Sequence, residues 1–261
     1  MKIKNFQKNQ NSSSENKIDK AVLQTLLLTD GSVIPERNQI SFANTSEELV
    51  NQFCNLVNSV YGYEIPKSRI GFGKGTKQKL YIVQFKSKEI CRDLLKEMSY
   101  NTSKDVSIPG YWFDFSEQEK TKILRTMFDT EGGCSLRLVW LKKKNCFEVK
   151  REVFISCENQ KLRRQFRLLV ESLGIKTGES SGKVTITNRR DIEKFRNAVN
   201  FSPNVKVGFD SKVWHGIEKR RLLDILLETY KLSRGVPQTF KNKEDFYDFM
   251  SSFQVNTVRE S

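Results

Sequence analysis

Hydrophobic residues recur along the chain at two spacings, and the order in which these spacings appear is repeated. An apolar helical stretch at 18–29 leads into two segments of alternating apolar and polar residues within 32–44. An amphipathic helix, a hairpin at 67–85 and a further helix at 87–98 follow. From residue 116 the chain begins again with a capped helix, two strands, a helix, a strand and a helix. The pattern predicts an α+β protein made of two pseudo-symmetric αββαββα halves.

The two halves also correspond in sequence over short stretches. Residues 40–44 match residues 153–157 in their apolar and polar positions. The apolar stripe of the next helix is repeated as well, with Leu49, Phe53, Leu56 and Val57 in one half and Leu162, Phe166, Leu169 and Val170 in the other. A repeat of roughly a hundred residues is far longer than a solenoid unit. The chain is therefore interpreted as a duplicated α+β half.

This duplication divides the chain into four parts. Residues 1–17 are polar and rich in Lys, Asn and Ser, and are expected to form a disordered basic tail. The two halves are expected at 18–115 and 116–232, followed by a C-terminal extension with a short helix at 233–261. The pattern does not reveal the role of this extension.

Each half opens with a helix that ends in a threonine, an acid and a glycine. These segments read LQTLLLTDG at 23–31 and LRTMFDTEG at 124–132. In each, two threonines lie four residues apart and share one face of the helix. Small residues at this spacing allow two helices to approach closely. The predicted helix interface consists of Thr25, Thr29, Thr126 and Thr130.

Packing through these faces would bring Asp30 and Glu131 side by side at the C-terminal ends of the two helices. Gly31 and Gly132 are expected to end the helices in the left-handed conformation. An acid is unfavourable at the partial negative charge of a helix C-terminus, and a second acid beside it is more so. Proteins keep such a pair where a cation compensates it, and oxygen ligands suit Mg²⁺. The alternative is two unrelated core helices ending in exposed acids; the matched copies favour the metal site.

The charge balance favours a polyanionic partner. There are 45 Lys and Arg residues against 31 Asp and Glu residues, a net charge of +14, and nucleic acid is the first candidate. A basic ribosome-bound or membrane-surface protein is the competing interpretation. No apolar run reaches the ~20 residues of a membrane span, and the N-terminus shows no signal peptide. The expected location is the prokaryotic cytoplasm, in association with the nucleoid, or an organelle.

Cysteine and histidine usage narrows the chemistry. The 5 cysteines are odd in number and never spaced as CxxC, which argues against a zinc site and a disulfide framework. Because the chain has a single histidine, His215, the composition argues against chemistry built on histidine ligands or bases. His215 is expected to be structural. Chemistry based on carboxylates and a metal ion remains.

Polar and basic residues occupy alternate strand positions and the turns between strands. In an isolated strand such a face is most often simply solvated. Here the turns are basic in both halves and lie beside a metal-type acid pair, so the surface is interpreted as a cradle for double-stranded DNA. Turn lysines would contact phosphates, and strand side chains would contact base edges. The predicted DNA-binding residues are Arg37, Gln39, Ser41, Lys74, Lys77, Lys79, Arg137, Lys142, Lys143, Lys144, Lys150 and Lys183.

The paired segments resemble the LAGLIDADG motif of homing endonucleases, in the form in which one chain carries both copies. The second copy falls on the family pattern at Leu124, Asp129, Glu131 and Gly132. The first copy keeps Asp30 and Gly31 but has Leu28 where the inner aspartate usually stands. The resemblance extends over roughly residues 19–232.

The resemblance implies a fold and an activity. In this family each half forms a concave antiparallel sheet, and the two sheets form a DNA-binding saddle in the major groove. The implied activity is site-specific hydrolysis of double-stranded DNA, with both strands cut across one minor groove to leave 3′ overhangs. Asp30 and Glu131 would hold Mg²⁺, with Mn²⁺ tolerated, in a monomer with internal pseudo-two-fold symmetry.

The resemblance also implies basic or polar residues near the scissile phosphates. Lys212 and Lys219 are the candidates, with ordinary surface lysines as the alternative. At the end of the second strand the family often has Gln or Asn and Lys. This chain has Asn44 in one half and Cys157 followed by Glu158 in the other.

Two other functions of the same scaffold stay open. One is an RNA maturase that binds its host intron RNA. The other is a catalytically inactive DNA-binding protein.

Overall fold

The computed structural model describes residues 14–73, 79–98, 106–180, 182–208, 211, 213–232 and 239–251. Within them the predicted αββαββα order occurs twice. The first half contains α1 Ser14–Asp30, β1 Gly31–Ile34, β2 Gln39–Asn44, α2 Glu47–Tyr61, β3 Ile70–Phe72, β4 Tyr81–Lys86 and α3 Lys88–Leu95. The second half contains α4 Glu117–Thr130, β5 Gly132–Leu141, β6 Cys146–Ser156, α5 Gln160–Glu171, β7 Gly178–Ser180, β8 Lys183–Ile186 and α6 Arg189–Ala198. The elements that follow are α7 Lys219–Leu232, β9 Thr239–Phe240 and α8 Lys243–Ser251.

Each half contains one antiparallel sheet, and the two sheets have the same topology. The strand order is β1-β2-β4-β3 in the first and β5-β6-β8-β7 in the second, with β9 paired to β6 in addition. The registers correspond, since Gly31 pairs with Phe42 and Gly132 pairs with Ile155. The predicted fold class of two αββαββα halves with antiparallel sheets is confirmed.

One face of each sheet is buried beneath helices, which explains the alternating sequence of the strands. In β2, Ile40 and Phe42 are buried, and the Phe42 ring stacks on Phe53 of α2 with 4.8 Å between the ring centroids. In β6, Val153 and Ile155 are buried in the same way. Burial of each such side chain stabilises the fold by ~1.5–3 kcal/mol.

The strand residues that alternate with the buried ones lie on the opposite face of each sheet, which is called the open face below. The open face includes Ser32, Gln39, Ser41, Gln84 and Lys86 in the first sheet, and Ser135, Arg137, Glu148, Lys150, Glu152, Phe154, Lys183 and Thr185 in the second.

The two motif helices, α1 and α4, pack against each other. Thr25 and Thr126 are buried, with 0% and 2% of their surface exposed. Their hydroxyls donate within their own helices, over 2.8 Å to the carbonyl oxygen of Ala21 and over 3.0 Å to that of Lys122. Because each hydroxyl is satisfied inside its helix, neither needs a partner across the interface.

The start of α1 differs from the prediction. The helix begins at Ser14 and ends at Asp30, so residues 14–17 of the predicted tail are helical. The predicted start at residue 18 followed the first apolar position. A helix extends beyond its apolar stripe where polar residues do not interrupt the backbone hydrogen bonds.

The expected left-handed conformation of Gly31 and Gly132 is wrong. Among the described residues, the glycines with positive φ are Gly62, Gly174, Gly182 and Gly216. Gly31 and Gly132 instead begin strands β1 and β5, where the chain turns directly from helix into strand. A Cβ atom would lie 2.6 Å from Leu27 Cα at the first position and 2.7 Å from the Phe154 carbonyl oxygen at the second. Close backbone approach, not a helix cap, therefore requires glycine at both positions.

None of the helices in the described part of the chain is both long and apolar enough to cross a membrane.

Candidate metal and DNA-binding site

Asp30 and Glu131 lie at the C-terminal ends of the two packed helices. Asp30 is the last residue of α1, and Glu131 directly follows α4. Burial raises the pKa of Asp30 above its ordinary value, while a hydrogen bond from Asn44 and the charge of Lys219 act against the rise. Burial, and after it the negative charge of Asp30, raises the pKa of Glu131 to about 7. The two carboxyl groups therefore lie close enough to repel each other.

This pair has the chemistry of a magnesium site. Two partly buried carboxylates that raise each other's free energy when ionised are stabilised by a shared cation. Mg²⁺ is commonly bound through one or two carboxylates, and water or phosphate oxygens fill its other positions. Within the described residues there is no group of three or more His, Cys, Asp or Glu side chains arranged to hold a metal. Asp30 and Glu131 fit a metal ion that takes its remaining ligands from water and from a bound phosphate.

Asn44 holds the Asp30 carboxylate in place. Its Nδ2 donates to Asp30 Oδ2 over 2.8 Å, and its Oδ1 accepts from the backbone N–H of Ser46 over 2.7 Å. The corresponding register places Cys157 at the equivalent position of the second half. The negative charge of Glu131 raises the pKa of the Cys157 thiol, after the larger effect of burial. The two acids thus have different neighbours, amide on one side and thiol on the other.

Lys219 lies beneath the site and makes contacts that the sequence did not predict. It is the first residue of α7 and is only 8% exposed. Its Nζ donates to the carbonyl oxygens of Asp129 and Gly132, both over 2.7 Å, and to that of Phe128 over 3.3 Å. An ammonium group has three hydrogens, and these three carbonyls account for all of them.

The alternative of an ordinary surface lysine is wrong for Lys219, since its side chain is buried; its role near a scissile phosphate stays a prediction. The side chain closes the C-terminal end of α4, where helix carbonyls lack partners and a positive charge is favourable. By binding carbonyls on both sides of residue 131, it fixes the backbone that carries Glu131. The other candidate, Lys212, lies outside the described residues.

Asp129, the inner acid of the second motif, is a structural residue. It is 3% exposed and accepts from the Ser202 backbone N–H over 3.0 Å at Oδ1 and 3.3 Å at Oδ2. Burial raises its pKa to about 6, against the opposing effects of Ser202, Lys219 and Arg125. Leu28, at the matching position of α1, packs against the hydrophobic core instead.

A cleft of about 260 Å³ opens beside Glu131. Its lining consists of Leu28, Thr29, Glu131, Ser156, Cys157, Glu158, Leu162 and Phe166. The cleft is on the side of the second half, so it makes Glu131 accessible from the end of β6.

The strand residues predicted to bind DNA lie on the open faces. In the first sheet, Ser41 Oγ lies 2.7 Å from Ser32 Oγ, and Gln39 pairs with Lys86 across the neighbouring strands. Gln84 and Lys86 share this face, are exposed, and were missed by the sequence analysis. The alternation with buried Val83 and Phe85 was the signal that would have identified them.

The open face of the second sheet is more highly charged. Arg137 pairs with Lys150 across the strands and forms a 3.5 Å ion pair with Glu152. Lys183 lies over the Phe154 ring, 4.4 Å from its centroid. The side chains on this face therefore offer both hydrogen-bond donors and acceptors.

The basic turn residues are exposed wherever the structure describes them. Arg37 lies in the turn between β1 and β2, and Lys142, Lys143 and Lys144 lie in the turn between β5 and β6. Lys79 lies over the rings of Phe72 and Tyr81, at 4.4 and 4.6 Å from their centroids. The predicted residues Lys74 and Lys77 are outside the described part of the chain.

Comparison with known proteins gives a match to a family model in the first half of the chain and similarity to solved structures over a larger part of it. A family model described as a LAGLIDADG-like domain matches residues 17–98. A comparison with curated protein sequences finds no match.

Several solved structures are similar to this chain at low sequence identity. The N-terminal LAGLIDADG domain of WhiA is 17% identical with a TM-score of 0.46, and the match covers 77% of this chain and 88% of that chain. I-DmoI in complex with DNA and Mn is 17% identical with a TM-score of 0.45, covering 70% of this chain and 97% of that chain. The homing endonuclease I-WcaI bound to its DNA recognition sequence is 16% identical with a TM-score of 0.46, covering 75% and 87%.

The family model covers the first motif helix, both strands behind it and the elements up to residue 98. The resemblance found in the sequence is thereby confirmed. Residues 17–98 match a LAGLIDADG-like domain, and the second half of the chain repeats the order of helices and strands of the first half.

Proposed function

We propose that this protein is a site-specific endonuclease that cleaves double-stranded DNA with the help of Mg²⁺. The proposal is carried by one observation, the pair of acids that end the two central helices. Asp30 and Glu131 lie at negatively polarised helix ends, are partly buried, and repel each other. Neither acid is part of the hydrophobic core of the described residues, whereas a divalent cation bound to a phosphodiester would use this arrangement directly.

Asp30 and Glu131 would hold the metal. A divalent ion bound there supplies Lewis-acid stabilisation of the phosphate and lowers the pKa of a bound water; Mn²⁺ has similar ligand preferences to Mg²⁺. The chain's own residues prepare the site. Asn44 fixes the orientation of the Asp30 carboxylate, and Lys219 fixes the backbone on both sides of Glu131. Glycine next to each acid lets helix and strand meet without displacing the carboxylates.

The open faces of the two sheets would bind the duplex. Exposed lysines in the turns supply the charge that binds phosphates, and this contribution does not depend on base sequence. Gln39, Ser41, Arg137 and Lys150 provide side chains able to read base edges, with ~1–3 kcal/mol of discrimination for each good contact. Both acids belong to one chain, so we infer that a monomer cuts both strands. The cuts would lie across one minor groove and leave 3′ overhangs.

A DNA-binding protein without cleavage activity is the second candidate. It is favoured by the neighbours of Glu131: the three ammonium hydrogens of Lys219 are donated to carbonyl oxygens, and the residues that follow β6 are Cys157 and Glu158. Within the part of the chain that the structure describes, the site therefore has two acids, while neither Lys219 nor the two residues directly after β6 offer it a free lysine. An RNA maturase would use the same scaffold, but no contact among the residues that the structure describes favours RNA over DNA.

A selection experiment separates these functions. A random duplex library is incubated with the protein in Mg²⁺, and cut and bound molecules are sequenced separately. An endonuclease should yield one long, partly degenerate cleaved site, and Ca²⁺ should give the same bound sequences without cutting. Sequence-specific binding with no cut in either Mg²⁺ or Mn²⁺ would support the second candidate. Cutting or binding without sequence preference would contradict both.

A further inference from the structure

The two halves differ most in the length of their first hairpin. Strands β1 and β2 have 4 and 6 residues, whereas β5 and β6 have 10 and 11. Each hairpin starts directly behind an acid of the candidate site and runs away from it. At ~3.3 Å per residue, β5 reaches ~20 Å farther from the acids than β1 does.

The neighbouring strands support the two hairpins differently. β4 pairs with β2 along the whole of β2, from Gln39 to Asn44. β8 pairs with β6 only over Val153 to Ser156, close to Glu131. The outer part of β6 is paired instead with the C-terminal extension, through Phe147 with Phe240 and Glu148 with Thr239. The extension thus builds an outer edge that the first sheet does not have within the described residues.

Aromatic packing anchors this edge. The Phe240 ring lies 5.6 Å from the ring centroids of both Phe246 and Phe249 of α8. Phe246 and Met250 are buried in the hydrophobic core. The helix therefore holds β9 against β6 from the covered side of the sheet.

The same register adds polar side chains to the open face. Thr239 pairs with Glu148, which is an open-face residue, so Thr239 continues that face. Because β9 is antiparallel to β6, the chain then runs towards the turn between β5 and β6, and Lys241 is exposed there. Lys142, Lys143 and Lys144 are exposed in that turn, whereas the corresponding turn of the first half carries Arg37 beside Glu36. Positive charge is concentrated at the outer end of the second sheet.

We propose that the outer part of the β5–β6 hairpin, together with β9, binds the outer base pairs of an asymmetric DNA site. The longer arm of this site lies on the side of Glu131. The additional reach of ~20 Å corresponds to at most about six base pairs, at 3.4 Å of helix axis per base pair. The proposal rests on the proposed function and extends it, since it assigns the longer half of the recognised site to the second half of the chain.

The test uses the site obtained from the library selection. Duplexes are shortened one base pair at a time from either end, and their affinity for the full-length protein is measured in Ca²⁺. The expected result is that one end tolerates shortening to within a few base pairs of the cut and the other end does not. The double variant Thr239→Ala, Lys241→Ala should bind the full duplex several-fold more weakly than the wild type. The two proteins should bind equally a duplex that lacks the outer base pairs of the long arm.

Two further variants complete the experiment. Phe240→Ala removes the aromatic anchor of β9 and should reproduce the loss on the full duplex, with cleavage of the shortened duplex retained. Lys88→Ala, which removes an exposed lysine from α3, should behave as the wild type on both duplexes. Equal arms, or a double variant that binds every duplex like the wild type, would overturn the proposal while leaving the endonuclease intact. Absence of sequence-specific binding by the wild type would overturn the proposed function, and this proposal with it.

Discussion

The side-chain amide of Asn44 donates a 2.8 Å hydrogen bond to the carboxylate of Asp30. The bond runs from the end of β2 to the end of α1, so the strand orients the acid that the helix supplies. At the equivalent position beside Glu131 the chain has Cys157, which supplies no such amide. The candidate site is therefore built from two equivalent backbones with different supporting side chains. Each half nevertheless has an acid at this position, so substitution of the two acids is the first test of the site.

Replacing either acid by its amide should abolish cleavage and preserve DNA binding. Asp30→Asn and Glu131→Gln would each remove a ligand of the proposed metal ion and a negative charge beside the proposed phosphate position. Metal assistance is worth several kcal/mol, so cleavage should fall by ~10²-fold or more. Binding in Ca²⁺ should be unchanged or tighter. Cleavage rates and affinities on the selected site measure the two effects separately.

The matched control is Glu48→Gln, which neutralises an exposed acid at the start of α2. It should cleave at the wild-type rate. If Asp30→Asn and Glu131→Gln also cut at near-wild-type rates in Mg²⁺, the metal-site assignment is wrong.

The raised pKa of Glu131 predicts how the stability of the metal-free protein depends on pH. The folded protein holds this proton up to about pH 7, whereas the ordinary pKa of the group is 4.5. Between these values the folded state binds more protons than the unfolded chain, so the free energy of unfolding falls as pH rises from 4.5 to about 7. The loss should be ~1–3 kcal/mol, since the group is partly exposed and solvent screens part of the effect.

Urea unfolding of the metal-free protein at several pH values measures this loss. Glu131→Gln should flatten the profile relative to the wild type, because it removes the contribution of Glu131. Asp30 and Asp129, whose pKa values are also raised, are present in both proteins and keep part of the slope. Saturating Mg²⁺ should stabilise the wild type most at the upper end of the range, where both acids are ionised. Parallel profiles for the two proteins would show that Glu131 does not hold its proton in the folded state.

The αββαββα order was predictable because each half alternates cleanly between helical and strand spacing. The pairing of Asp30 with Glu131 was predictable because a duplicated motif places both acids at corresponding helix ends. The conformation of Gly31 and Gly132 was not, since a glycine after a helix is compatible both with a left-handed cap and with a close approach of two backbones. Only the packing of the following strand distinguishes these cases.

The contacts of Lys219 likewise could not be predicted from the sequence. Its three acceptors lie about 90 residues earlier in the chain, and no local pattern indicates that a lysine at the start of one helix closes the end of another. The pairing of β9 with β6 depends on a similar long-range contact, because two strand residues after a break give no periodic signal. Both features depend on contacts between segments that are far apart in the chain, and local periodicity does not predict such contacts.

Larger side chains on the threonine faces should destabilise the protein. Thr25→Leu and Thr126→Leu each add volume at a buried position of the packed helices and remove a hydroxyl bonded within its helix. Overpacking of a core contact costs about 1–3 kcal/mol. Thermal and urea unfolding should show this loss, and Thr187→Leu, at an exposed position, should show none. Unchanged melting of Thr25→Leu and Thr126→Leu would mean that these faces do not contact each other.

Lys219→Met should lower both stability and cleavage, because it removes the one cation that closes α4. The substitution keeps a long apolar side chain but leaves the carbonyl oxygens of Phe128, Asp129 and Gly132 without their partner. Loss of hydrogen bonds to a buried charged group predicts a destabilisation of ~2–4 kcal/mol in urea unfolding. The backbone that carries Glu131 is then no longer fixed, so more Mg²⁺ should be needed for half-maximal cleavage, measured at a temperature where the variant stays folded.

The control is Arg220→Ala, at the next and exposed position of α7, which should change neither the stability nor the Mg²⁺ requirement. A variant that is less stable but has the wild-type Mg²⁺ requirement would limit Lys219 to a purely structural role.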